Sequence, residues 1–266
     1  MDDPGVPPAD RRGPADDANA TPEPLAGGAF ADAVRIGATV RRTPPPGLGY
    51  VRRLLALLGD WPGAPRDLGT DAEGRQVLEY IDGYAAFGAD AVAAAATPAA
   101  LKRVGELTRA FHDRTAGTPL AEGAEVACHN DLNPKNTVYR DTPEGPLPLA
   151  FIDWDLAAPG RRLDDIGHAC WHYLALGPHR RGPVAEAAAG IGAICDGYGL
   201  TDRTGVVGAV AAIQERTATG IEAEAAEGHP VMVRLCAAGV PDEVRAARSW
   251  VLRHRALLAP PSPAPA

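Results

Sequence analysis

Apolar and polar residues follow two periods along this chain, and the period changes mark its organisation. Around Gly37 the run "ADAVRIGATVRRT" alternates and is rich in β-branched residues, which predicts two short strands joined by a tight turn. Three prolines at 44–46 interrupt that pattern. Leu48, Val51, Leu54, Leu55 and Leu58 then recur at three- and four-residue steps, the stripe of an amphipathic helix that Gly59 ends. "RQVLEYIDG" reads as a further strand running into a glycine. From Asp82 the pattern turns helical. Thr97 suits a helix cap and Pro98 the first helical position, and Leu101, Val104, Leu107, Thr108 and Phe111 share one face. "NTVYR" and "LPLAFIDWD" are two short strands around a "DTPEGP" turn, and helices are expected over roughly 163–176, 184–198, 203–227 and 242–257. The expected architecture is α+β: a small, β-rich first lobe over 24–81 with one helix, then a larger, mainly helical lobe over 82–258 that holds a β-hairpin. Residues 1–23 and the closing "APPSPAPA" at 259–266 are rich in proline and small residues and are expected to be disordered tails.

Composition narrows the range of functions. The 266 residues are 45% hydrophobic, ample for a sizeable core, and carry a net charge of −8. That balance disfavours a nucleic acid or an anionic membrane as partner and suits a cationic small molecule better. Four cysteines stand far apart with no C-x-x-C pair, so reduced thiols in a cytoplasmic protein are expected, with neither zinc fingers nor disulfides. The acidic, proline-rich start does not resemble a signal peptide, and no uncharged apolar stretch approaches the ~20 residues of a membrane helix. Only two of the 26 basic residues are lysines, Lys102 and Lys135, a bias that makes no single arginine functional by its identity alone.

The candidate chemistry is concentrated in one segment. His129, Asp131 and Asn136 fit H-x-D-x-x-x-x-N, and Asp153 follows 17 residues later at the end of an apolar strand in "FIDWD". The order resembles that in which kinase-fold enzymes present a catalytic aspartate, a metal-binding asparagine and a second metal-binding aspartate. In such a transfer the phosphoryl group spreads negative charge over its oxygens, so hard cations must bridge the phosphates and oxygen ligands must hold those cations. Asn136 offers a neutral oxygen and Asp153 a charged one. Asp131 is too weak a base at neutral pH, with an ordinary pKa of about 3.9, to act by basicity. Its expected role is to orient an acceptor hydroxyl and accept its proton late. His129 is expected to fix the loop by hydrogen bonds. Asp155 is open between metal binding and capping a turn, and Lys135 between facing phosphate and facing solvent.

"HNDLNPKN" at 129–136, "FIDWD" at 151–155 and "RRLDDIGHACW" at 161–171 resemble the aminoglycoside phosphotransferase and choline kinase family. The resemblance covers most of residues 25–240 and is specific from 129 to 171. It implies a two-lobed protein-kinase-like fold, ATP or GTP as donor, Mg2+, and a small hydroxylated or amine-bearing acceptor. It also implies that Asp165, with Asp164 as the neighbouring possibility, braces the catalytic loop. Backbone groups near Glu79 and Ile81, in "LEYIDG", would meet the adenine edge.

The first lobe departs from that family. No G-x-G-x-x-G is present, the nearest glycines being Gly27-Gly28 and "GLGYVR" at 47–52. No lysine precedes Lys102, and the helix after the prolines has no acid to pair with one. Arg41, on the face shared with Thr39, is the expected substitute on the phosphates, with Arg42 on the opposite face. Two alternatives follow: a kinase-like binding or regulatory protein that has lost transfer, or a phosphoester hydrolase with a metal cluster of His129, Asp131, Asp153 and Asp155. The acids Glu222, Glu224 and Glu227 are open between lining a pocket for a cationic acceptor and forming a solvated face.

Overall fold

The computed structural model describes residues 21–25 and 33–260. Gly27-Gly28 and most of both expected tails lie outside the described residues. The chain opens with β1 (Glu23–Pro24), β2 (Val34–Ile36) and β3 (Thr39–Arg42), followed by α1 (Leu48–Leu58), β4 (Asp67–Thr70) and β5 (Gln76–Glu79). These strands form an antiparallel sheet in the order β1-β2-β3-β5-β4. The turn at Gly37 and the end of α1 at Gly59 fall where the pattern placed them, with both glycines at positive φ. α1 buries Val51, Leu54, Leu55 and Leu58, each contributing about 1.5–3 kcal/mol by leaving water. β4 was not expected, because Gly69 and Asp67 disguise it as loop; it pairs with β5 across a register shift between Asp67 and Gly69.

The second part contains α2 (Gly88–Ala94) and α3 (Pro98–Thr115), then β6 (Val126–Cys128), the hairpin β7 (Thr137–Thr142) and β8 (Gly145–Phe151), and β9 (Ala158–Gly160). Thr97 caps α3 by accepting from the Ala100 amide at 3.1 Å. Five further helices follow: α4 (Arg162–Tyr173), α5 (Val184–Tyr198), α6 (Val206–Ala226), α7 (Pro230–Ala237) and α8 (Val240–Arg253), with the short α9 (Arg255–Leu258) after them. The architecture is the mixed α+β, kinase-like one, with a small sheet first and helices after it.

Two structural details hold the site in place. α3 and α5 meet backbone to backbone at Gly105 and Gly197: a Cβ on Gly105 would collide with Ile194 O, and one on Gly197 with Lys102 O. β6 pairs with β9, far along the chain, through Val126 with Gly160 and Cys128 with Ala158. That pairing carries the start of the 129–136 loop alongside the end of the "FIDWD" segment.

Candidate active site

The loop that follows β6 is determined by a buried carboxylate. Asp165, fully buried on α4, accepts from the amides of His129 at 2.7 Å and Asn130 at 2.8 Å. Both amides can point at one side chain because Asn130 adopts a left-handed conformation, φ 62°, which asparagine tolerates better than most residues. His112 Nε2 donates to Asp165 at 3.0 Å, Tyr198 donates to His112 Nδ1 at 2.8 Å, and Arg162 donates to Tyr198 at 3.0 Å. Burial disfavours a charged Asp165. The hydrogen bond from His112, the nearby His129 ring and the His129 amide outweigh that effect and hold its pKa below the usual carboxylate range.

His129 is buried and fully committed. Its Nε2 donates to Ile152 O at 3.1 Å, and its Nδ1 accepts from the Asp131 amide at 3.3 Å. The ring therefore joins the loop to the strand before Asp153, and neither nitrogen is left for a metal. This overturns the hydrolase cluster, which required His129 as a ligand.

Asp131 lies half-buried at the mouth of this loop. Asn133 Nδ2 donates to its Oδ1 at 2.8 Å and Asn136 Nδ2 to its Oδ2 at 2.8 Å. Using the amide nitrogen of Asn136 in this way turns its carbonyl oxygen into the atom available to a cation. Asn136 ends a 3-10 turn, Pro134–Asn136, and its backbone carbonyl accepts from the Ile152 amide at 2.9 Å. The hairpin thus sets Asn136 beside Asp153, which takes a left-handed φ of 63° at the entry to the turn Trp154–Leu156. Asp131 and Asn136 are thus joined side chain to side chain, and the Asn136 backbone is held to the residue that precedes Asp153.

The structure corrects the expectation for β3. Val40 lies opposite Leu78 and Arg42 opposite Gln76, on the face that α1 covers. Arg42, not Arg41, faces the hairpin. Its side chain is 8% exposed; Nη2 bonds Asp155 Oδ1 at 2.5 Å, Nη1 bonds Asp155 Oδ2 at 3.1 Å, and Nη1 reaches Asp153 Oδ1 at 3.4 Å. Gln76 Oε1 accepts from Arg42 Nε at 3.1 Å. Arg41 lies on the other face, with Nη1 3.8 Å from Asp71. Asp155 was thus missed as an arginine partner. Burial raises its pKa, and the Arg42 charge opposes that rise. A signal was present in the sequence: Val40, the apolar residue of the strand, marks the core side, and Arg42 shares its parity.

The remaining expected residues are placed as follows. Glu79 ends β5, with its amide donating to Arg66 O at 2.9 Å and its carboxylate accepting from Arg66 Nε at 3.1 Å. Ile81 lies two residues beyond and is half-buried. Lys135 is exposed and lines a cavity of about 350 Å³ together with Asp131, Asn133, His172, Phe87 and Val92. Glu222 is exposed and tied to Arg245 of α8 at 2.6 Å.

Sheet, braced loop and paired hairpin together define the class of kinase-like phosphotransferases. Residues 4–202 match the model of the phosphotransferase enzyme family, and the chain belongs to that family. A trifolitoxin immunity protein from Rhizobium leguminosarum bv. trifolii is 28% identical, over 88% of this chain and 96% of its own. Among solved structures, the GDP complex of an aminoglycoside 2'-phosphotransferase-IIIa is similar with a TM-score of 0.58 at 14% identity, covering 92% of this chain and 93% of that one. A choline/ethanolamine kinase family protein from Mesorhizobium loti gives 0.56 at 18% identity, covering 91% and 90%.

Proposed function

We propose that the protein transfers the γ-phosphoryl group of a nucleoside triphosphate, ATP or GTP, to a hydroxyl of a small acceptor, with magnesium at Asn136 and Asp153. The observation that carries this reading is the bond from Asn136 Nδ2 to Asp131 Oδ2 at 2.8 Å, on a loop whose Asn136 backbone is held at 2.9 Å to Ile152, the residue before Asp153. An amide oxygen and a carboxylate are hard donors that fit magnesium. Held by these two residues, the ion would supply positive charge against the negative charge that develops on the phosphoryl oxygens. Asp131, held at both oxygens by Asn133 and Asn136, orients the acceptor hydroxyl and takes its proton as the new bond forms. Arg42 takes the place of the missing lysine on the phosphates, and Asp155 supplies the carboxylate that α1 lacks. For the adenine edge, the reading points to the Glu79 carbonyl and the Ile81 amide.

The acceptor is a hydroxyl-bearing small molecule that enters through the cavity beside Asp131. With Lys135 and His172 on its wall and Glu222 held by Arg245, the site gives less support to a polycation than net charge alone suggested. The relative's name as an immunity protein and the aminoglycoside phosphotransferase fold favour a toxin-like or drug-like acceptor. The test is nucleoside diphosphate formation with ATP or GTP and Mg2+ against a panel of hydroxylated antibiotics and amino alcohols. Asp131→Ala should retain nucleotide and lose about 10²–10⁴-fold in turnover. Unchanged turnover in that variant would remove Asp131 from the mechanism.

A further inference from the structure

The transfer reading leaves two histidines on α4 unused. His168 and His172 stand one helical turn apart, their rings nearly parallel at 21° with centroids 5.6 Å apart. A ring nitrogen of each and a carboxylate oxygen of Asp131 all lie within 4.8 Å of one another. His168 is only 7% exposed, and its Nδ1 has no hydrogen-bond partner. An unpartnered polar atom in such a place is costly, and it is the kind of atom a ligand satisfies. His172 and Asp131 both line the cavity beside the loop, which provides a way in.

We propose that Asp131, His168 and His172 form a site for a transition-metal ion of the zinc type, distinct from the magnesium position, and that an ion held there withdraws Asp131 from transfer. Two imidazoles at i and i+4 on one helix plus a carboxylate make a three-ligand set with an open fourth position. Nitrogen donors select zinc, cobalt or nickel over magnesium. A tetrahedron with bonds of about 2.0–2.1 Å has edges of about 3.3 Å, so side-chain rotations of modest size close the set. The amides of Asn133 and Asn136 already hold both Asp131 oxygens, the outer support that orients a ligating carboxylate. Burial lowers the pKa of both rings, with Lys135 adding to that at His172 and Arg216 at His168, while Asp131 and Asp165 oppose it at His168. The neutral ring is the form that coordinates a metal.

The binding half of the proposal stands on this cluster alone; the inhibitory half rests on the transfer reading. Metal-free protein titrated with Co2+ in the absence of nucleotide should bind one equivalent, with the intense visible bands of a tetrahedral site, and Zn2+ should displace it. His172→Gln and Asp131→Asn should each weaken that binding by about 100-fold. In parallel, zinc should protect His172 of the natural protein from carbethoxylation, read by mass spectrometry, which needs no variant to fold. A missing cobalt spectrum, thiolate-to-cobalt bands that mark a cysteine site, or an unprotected His172 would each overturn the site. Zinc added to an active, magnesium-saturated enzyme should stop turnover until a chelator is added. Stoichiometric binding with undiminished turnover would uphold the site and overturn the inhibition. Failure of the protein to turn over at all counts against the transfer reading and leaves the cobalt spectrum to decide the site.

Discussion

Asp165 gathers three donors, from His112, His129 and Asn130, in a place that water does not reach. Replacing it with asparagine puts an NH2 group against backbone amides that need an acceptor, and should cost about 3 kcal/mol, measured by urea denaturation. The pH dependence has a definite sign. The folded-state pKa is depressed, so the carboxylate's contribution is complete above the unfolded value of about 3.9 and is lost as pH falls through the lower folded value. The natural protein should therefore lose stability on acidification in that range, and the Asp165→Asn variant should show less of that loss. The brace was legible only through the family resemblance of "RRLDDIG", which pointed to Asp165 with Asp164 as the neighbouring possibility. The rest of the chain behind it, His112 and Tyr198, was not: these residues come from α3 and α5, and only the helix packing brings them to Asp165.

At the scale of elements, the helices with strong apolar stripes matched their expected spans, as α1 and α3 show. Of the short strands, β6 and β9 were not expected: they have three residues each and no periodicity to read. Their pairing exists because long-range contacts reward it. The α3–α5 contact is equally invisible in a one-dimensional pattern, since Gly105 and Gly197 look like ordinary helix-weakening glycines. Gly105→Ala should raise helix propensity yet destabilise the protein by about 1–3 kcal/mol, because the added methyl forces the two backbones apart. A thermal melt checks this. A rise in melting temperature would mean that the two helices separate at no cost.

For the whole molecule, Arg42 is the link between the sheet and the hairpin. Arg42→Met keeps the apolar stem and removes the fork, leaving Asp155 half-buried beside Asp153 without its cation. The expected loss is about 2 kcal/mol after allowance for solvent. It should shrink as pH falls toward the raised Asp155 pKa, because protonation removes the unpaired charge. The variant should also lose most of the thermal stabilisation by ATP and magnesium; an undiminished shift would show that Arg42 does not meet the phosphates. The sequence by itself determined the order of the strongly patterned elements, the H-x-D-x-x-x-x-N loop and the acid that follows it, because periodicity and spacing are properties of the chain. Tertiary structure decided which arginine of β3 turns inward, what Asp155 binds, and that two histidines of α4 stand beside Asp131. Those outcomes depend on the face of a strand or helix that neighbouring elements cover, which the order of residues alone does not specify.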